Sequence, residues 1–391
     1  MAVKPTKPTV PPAPSRANPG TDFAIKADTF AAFQSPFADY MEGIADFTDA
    51  RADDALAAAI GGDLPPITGQ AGKYIRVNTA GDAVEFAPIN DPENRIINGA
   101  FDVWQRGTSS TSAGYVAADR WRNDFSGGTV TQSRQAVTLG TLYGSNSPAS
   151  VLRQAVTGQT LTTHFALTQQ RIEGVRSYAG QTVTILGWAQ RTSGGGNMAV
   201  EVVQNFGTGG SPSAQVTGTG QLVTLTGSIA AFAITVAVPS VSGKTLGTNG
   251  DDYLALNFWT SAGSTFNTRA ASLGLQTIGV DLWGIHIKVG THTTAACDLY
   301  KSPKLGPELA RCQRYYQTTR FVLANTSFGG SSGGALVQMP LRVVMRGTPT
   351  ITLTPDNGTG AVVVAMGSGA IRQNILHSAV TESTVAMDAE L

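Results

Sequence analysis

Gly180-Gln-Thr-Val-Thr-Ile-Leu-Gly-Trp188 is the stretch whose reading decides the fold class. Val183 and Ile185 alternate with Thr182 and Thr184, the two-residue period of a strand with one face buried. The same kind of run returns in Met198-Ala-Val-Glu-Val-Val203, Gln221-Leu-Val-Thr-Leu-Thr226 and Ala233-Ile-Thr-Val-Ala-Val238. Gly- and Ser-rich turns separate these runs at short spacing, which predicts a β-sandwich from Asn94 onward. The composition agrees: glycine is abundant at 45 residues and only 14% of the chain is charged, a mixture suited to short strands and tight turns. Beyond Asn94 a single short helix is expected, around Pro307–Gln317.

Upstream the pattern changes three times. Residues 1–20 are dense in proline and have nothing to bury, so an extended attachment arm is expected over 1–26. Phe30, Phe33, Phe37, Tyr40, Ile44 and Phe47 then recur at steps of three and four, an a/d seam within an expected helical segment over 27–62. Ser35-Pro36 reads as an N-cap followed by a proline at the first helical position, which places the regular helix from Pro36, with Gly61-Gly62 ending it. A lone helix with an aromatic stripe has no core of its own. It either packs on a neighbouring domain or self-associates, and bulky residues at both a and d favour a three-stranded bundle, hence a homotrimer. Residues 63–93 read as a small β-knob, two short strands around the turn Asn78–Asp82.

Composition also narrows the chemistry. Formal net charge is zero, so there is no field to draw in a nucleic-acid backbone, and no nucleic-acid partner is expected. Cys297 and Cys312 are too few for a disulfide framework, although one bridge between them stays open. The opening Met1-Ala-Val-Lys-Pro5 lacks the apolar core of a secretion signal, and no run of 18 apolar residues occurs, so neither export nor membrane insertion is expected. Gly329-Gly-Ser-Ser-Gly333 matches the nucleophile-elbow pattern GxSxG, but that elbow needs a following helix, and Ala335–Pro340 reads as a strand. Ser242-Gly-Lys-Thr245 lacks the first glycine of a P-loop. His164, His286, His292 and His377 form no metal-ligand spacing. The reading is therefore non-enzymatic, with no cofactor and no catalytic residue; Asp251-Asp252 are candidate oxygens for a structural Ca²⁺, set against the commoner case of solvated turn carboxylates.

Several stretches resemble known proteins. Thr68-Gly-Gln-Ala-Gly-Lys-Tyr-Ile-Arg-Val77 with Gly81-Asp-Ala-Val-Glu-Phe86 is similar to a small Gly-Lys knob found in tailed-phage fibres and baseplate appendages. Asn94-Arg-Ile-Ile-Asn-Gly-Ala-Phe-Asp-Val-Trp-Gln-Arg106, Ala118-Asp-Arg-Trp121, Gly279–Gly290, Glu308–Gln317, Met345–Thr350 and Asp388-Ala-Glu-Leu391 resemble, in order, a family of phage and prophage tail proteins over about three quarters of the chain. His286-Ile-Lys288 departs from the Gln-Leu-Glu type of strand expected there. The resemblance implies a carbohydrate-binding-module-like jelly roll over 94–305 and a small C-terminal β-domain over 306–391. It implies a tail-fibre or receptor-binding subunit of a virion, assembled in the host cytoplasm, joined to other tail or baseplate proteins through residues 1–26, and adhering to host surface polysaccharide. A purely structural head fibre or baseplate connector is the alternative, and a polysaccharide depolymerase the third reading.

A sugar-binding surface needs an exposed aromatic face beside hydrogen-bonding side chains. Trp104 with Gln105 and Arg106, and Trp121 with Asp119, Arg120 and Arg122, offer those groups, the competing reading being that both indoles close the sandwich core. Trp259, with Phe258, is expected near a rim, Trp283 in the core, and the face of Trp188 is left open.

Overall fold

In the computed structural model the described residues are 5–13, 19–59, 73–77, 84–88, 94–144, 146–323, 335–357, 361–366, 370–375 and 381–391. The GxSxG stretch, the turn 78–82, Gly61-Gly62 and His377 lie outside them. The protein is mainly β, with antiparallel sheets, an N-terminal helix and a jelly-roll-like sandwich. It divides into two compact units, Met1–Asp91 and Pro92–Leu391.

In the first unit α1 runs Gly20–Ala59. Helix-favouring residues such as Ala24, Ala27, Ala31, Ala32, Ala38 and Ala45 run through it, and Asp22 sits in the first turn, where the helix dipole favours negative charge. Pro36, expected at the helix start, lies inside it instead. A proline there removes one backbone donor at a cost of about 3 kcal/mol, and the helix formers on both sides carry the helix through. The aromatic seam stays open: Phe30 and Phe37 are exposed, and Phe33, Tyr40, Ile44 and Phe47 are half-buried. Phe33 and Phe37 touch at 5.6 Å between ring centroids. Pro5 of the arm lies against α1 at Gly43, where an added Cβ would sit 3.0 Å from its ring. β1 (Lys73–Val77) and β2 (Val84–Pro88) pair antiparallel as the knob's two strands.

The second unit begins with β3 (Ser109–Ser110), β4 (Trp121–Ser126), β5 (Thr129–Ala136), β6 (Ser150–Thr157) and β7 (Phe165–Glu173). It continues with β8 (Thr182–Gly194), β9 (Met198–Asn205), β10 (Val216–Thr217), β11 (Gln221–Val223), β12 (Ala230–Ala237), β13 (Tyr253–Ala262) and β14 (Ile278–Val289). One sheet has the order β10-β9-β13-β7-β4 with β11 also on β9; the other is β12-β8-β14-β6-β5-β3. Neighbours distant in sequence, such as β7 beside β13 and β6 beside β14, are the crossings of a jelly roll. Leu254, Leu256, Phe258 and Val200 from the first sheet and Leu152, Val156, Val280 and Leu282 from the second belong to one core. Polar pins cross it: Gln154 Nε2 donates to Asn123 Oδ1 at 2.9 Å, and Thr260 Oγ1 donates to Gln154 Oε1 at 2.5 Å. Each is satisfied, so the pins specify register without a desolvation penalty left open.

The segment Asn94–Trp121 closes one end of the sandwich around Asn98. This asparagine is fully buried with φ of 58°, a left-handed conformation that Asn tolerates. Its Oδ1 accepts from the backbone N of Asp102 and Val103, and its Nδ2 donates to the carbonyls of Val103 and Asp119. Trp121 Nε1 donates to the Asn98 carbonyl at 2.9 Å. Gly99 is required here, because a Cβ would stand 2.1 Å from the Ile285 carbonyl.

After the sandwich come α2 (Leu305–Gln313), β15 (Tyr316–Leu323), β16 (Ala335–Pro340), β17 (Thr350–Asn357), β18 (Ala361–Met366), β19 (Ala370–Ile375) and β20 (Thr381–Asp388). They form two three-stranded sheets, β15-β20-β17 and β16-β19-β18. Cys297 and Cys312 are both buried as free thiols.

Candidate functional site

The five side chains proposed from sequence as sugar contacts do not come together. Trp121 and Trp259 are 0% and 1% exposed, so neither indole has a face to offer a ligand. Trp121 lies between Phe101 at 5.0 Å and Phe258 at 5.9 Å, the interior of the sandwich, and Phe258 is buried with it rather than at a rim. Trp104 is half-buried and packs against the same core, its Nε1 donating to the Phe101 carbonyl at 2.6 Å. Arg106 is committed to the C-terminal strands: it pairs with Asp388 at 2.6 Å and Glu390 at 3.0 Å, and stands 3.7 Å over the Tyr316 ring. Arg122 keeps a partly open side chain, 3.6 Å from Asp124.

Arg122 and Trp259 do share one face, the outer face of the first sheet. Register places Arg122 beside Gln169, Gln169 beside Asn257, and Asn257 beside Glu201, a polar row across β4, β7, β13 and β9. Asn257 Nδ2 donates to Glu201 at 2.8 Å, Trp259 Nε1 donates to it at 3.1 Å, and Arg269 pairs with it at 2.7 Å. Segment 263–273 covers this end, with Phe165, Phe266 and Ala270 around Trp259. Glu201 and Asn257 are sealed beneath it, so the row is structural.

The outer face of the second sheet is different. Ser133, Arg153, Asp281 and Gln190 stand side by side on β5, β6, β14 and β8. Arg153 grips Asp281 with two parallel bonds, Nε to Oδ1 at 2.7 Å and Nη2 to Oδ2 at 2.9 Å. Gln190 Nε2 donates to Asp281 Oδ2 at 3.0 Å, and Arg153 Nη1 donates to Gln135 Oε1 at 3.3 Å. The carboxylate is buried but the Arg153 side chain is 31% exposed, and Gln135 and Gln190 are half-buried. On one side the next rung is Thr131, Ala155, Gly279 and Ser193, with little bulk. On the other stand Trp188 and Trp283, 5.2 Å apart, with Tyr143 at 5.6 Å from Trp283. Burial, reinforced by the Asp281 charge, pushes the Tyr143 phenol up to about 12, so it is a neutral donor beside the row. The result is a flat, pre-aligned set of donors and acceptors at a partly open surface.

Sequence reasoning missed this row. Its signal was present: Asp281 is the one carboxylate in the Ile278–Val289 strand, set between apolar Val280 and Leu282, and a charge there demands a partner. Arg153 stands between Leu152 and Gln154 in strand alternation, but which basic residue would meet Asp281 depends on the β6–β14 crossing.

A cleft of about 330 Å³ opens elsewhere in this unit, lined by Asn94, Arg95, Arg120, Arg171, Glu173 and Arg314 among others. The Asp251-Asp252 pair holds turns together instead of pointing at a common centre. Asp251 accepts from the Thr208 backbone N and hydroxyl, and Asp252 from the Val175 backbone N. Among the described residues no group of three His, Cys, Asp or Glu is placed to hold a metal ion. His286 is buried, stacked on Tyr300 at 4.8 Å, and burial pulls its pKa down to about 4. No helix among the described residues is long and apolar enough to cross a membrane.

No family model matches the chain, and no curated protein matches it in sequence. Among solved structures, the enzymatically active domain of tailspike protein 4 of bacteriophage CBA120 aligns with 50% of this chain at 12% identity and a TM-score of 0.30. The alignment covers 21% of that domain, so the chain spans about a fifth of its length. A putative sugar binding protein from Bacteroides thetaiotaomicron aligns over 51% of this chain and 100% of its own, at 13% identity and a TM-score of 0.32. A CBM4 structure covers 49% of this chain and 98% of its own at 17% identity and a TM-score of 0.28. At these scores the alignments bear on neither ligand nor activity.

Proposed function

We propose that this protein is a trimeric tail-fibre subunit of a bacterial virus that binds host surface polysaccharide through the Ser133–Arg153–Asp281–Gln190 row. The observation that carries the binding half is the row itself, a guanidinium and carboxylate locked in plane with amides at a partly open surface. Sugar hydroxyls present alternating donors and acceptors, and such a row meets them without reorganising. The reading takes binding without hydrolysis at this row: its single carboxylate is already committed to Arg153 and Gln190, whereas glycoside cleavage ordinarily takes a pair.

The virion half rests on the tail-protein resemblance and on the open seam of α1. Phe30 and Phe37 are exposed on a helix whose other seam residues are half-buried, a stripe that a three-stranded bundle would cover. Residues 1–26 then attach the trimer to the tail or baseplate.

Glycan arrays with the full chain test the reading. Neutral surface glycans are expected to bind, with Arg153→Ala and Asp281→Asn each lowering the signal roughly tenfold at unchanged trimer content. A protein that binds no glycan, yet still incorporates into particles, is the structural fibre of the alternative reading. Shortened chains after incubation with host polysaccharide would instead identify a depolymerase. Native mass spectrometry showing only monomer would remove the trimer, and normal copy number on virions after deletion of residues 1–20 would remove the attachment role of the arm.

A further inference from the structure

The cleft near Asn94 has a charge problem that the rest of the unit does not solve. Arg95, Arg120, Arg171, Arg311 and Arg314 all line it, against a single lining carboxylate, Glu173. Three of the five are paired: Arg120 with Glu390, Arg311 with Glu308 at 3.0 Å, and Arg314 with Glu173 at 2.8 Å. Glu173 is shared further, with Arg346 at 3.5 Å and with the Tyr315 hydroxyl, which donates to it at 3.0 Å. Arg95 and Arg171 have no carboxylate side chain among the described residues. Arg95 Nη1 donates to Ser177 Oγ at 3.3 Å, and Arg171 donates to Gln169 Oε1 and to the main-chain carboxylate of Leu391 while standing 4.4 Å over Tyr253. A guanidinium carries five N–H donors, so both keep donors unspent. Arg120 is fully buried and its Nε has no partner among the described residues.

Like charges gathered in excess of their side-chain carboxylate partners repel, and a fold gains nothing by collecting them in one concavity. A surface that binds an oxyanion does gain, because planar guanidinium forks match a carboxylate in two parallel bonds. The volume is near the lower end for a small-ligand pocket and fits about one sugar ring, while Asn94, whose Oδ1 accepts from the backbone N of Ile96 and Ile287, adds its Nδ2 as a donor for a hydroxyl. We infer that this cleft takes the carboxylate of an acidic sugar, with Arg95 and Arg171 as the anion's partners. The inference rests on the glycan-binding reading above, and supplies it with a ligand class and a second contact point.

The test uses the full-length protein and saturation-transfer NMR with glucuronate, galacturonate and N-acetylneuraminate, with glucose and galactose as uncharged controls. At least one acidic sugar should bind, more weakly as salt rises from about 0.05 to 0.5 M. Arg95→Glu and Arg171→Glu should each cut that binding roughly tenfold or more. Arg95 is exposed and carries little of the fold, so Arg95→Glu should keep the wild-type melting temperature and remains decisive if Arg171→Glu misfolds. Acidic sugars that do not bind, or that bind both variants as well as wild type, overturn the inference. So does inorganic phosphate displacing the sugar at equal concentration, which would make the cleft a general anion site. Neutral-glycan binding that Asp281→Asn abolishes, with no acidic sugar bound, sinks this inference alone; no binding of any sugar sinks both it and the glycan reading.

Discussion

The two units use aromatic residues in opposite ways. In the sandwich unit Phe101, Trp121, Phe258, Trp188, Trp283 and Tyr300 are buried in two groups, Phe101–Trp121–Phe258 and Trp188–Trp283–Tyr300, with neighbouring rings 5.0 to 5.9 Å apart. On α1, Phe30 and Phe37 are exposed, and Phe33 meets Phe37. A two-sheet unit has an interior to fill, and a single helix has none. The same residue types therefore stabilise the fold in one unit and are available for association in the other.

The harshest test of that contrast is Trp121→Ala. It removes a fully buried indole and the bond to the Asn98 carbonyl, and should cost about 3–5 kcal/mol in a denaturant melt. A loss under about 1 kcal/mol would mean that the indole is not a core element. His286→Phe sharpens the contrast through pH. With the folded pKa near 4 and the ordinary value 6.5, the unfolded chain binds the proton first, so stability is complete above about 6.5 and falls as pH drops towards 4. The total is roughly 3 kcal/mol, and phenylalanine keeps the stack on Tyr300 while removing the titration. The difference between wild-type and variant melts should vanish or reverse near pH 4. Asp119 works with the opposite sign: burial raises its carboxyl to about 6, so its contribution is lost as pH rises from about 3.8 to 6, and that slope should stand out in the variant.

On the helix, Phe37→Ser with Ile44→Ser should leave the melt of the second unit within about 0.5 kcal/mol while dissociating the proposed trimer in native mass spectra. A large drop in that melt would break the comparison. The smallest effect is expected at Leu139, 96% exposed on a turn, where serine should change stability by less than about 0.5 kcal/mol.

The β class, the two knob strands and the short helix near Pro307 were legible because they depend on local alternation and turn chemistry. The start of α1 was not, because Ser35-Pro36 reads equally as a helix start and as an interior proline tolerated by strong neighbours. The tryptophans left open between a sugar face and the core have another cause. Trp104 and Trp121 stand beside Arg and Asp in sequence, but Asp119 and Arg120 turn to bind Gln105 and Glu390, leaving the indoles to the core. Whether an aromatic beside charge is exposed depends on where those charges find partners, and here the partners of Arg106 and Arg120 lie in the last residues of the chain.

Those partners bear on how the protein folds. Glu390 reaches Arg106 and Arg120 across 284 and 270 residues of sequence. Closing loops of that length costs chain entropy that only finished sheets can offset, so the clasp is expected to form last. The Asn98 hub and both sheets would be assembled while Arg120 still awaits its carboxylate. Opening should run in reverse, with amides around Asp388–Glu390 exchanging ahead of those in β13 and β14.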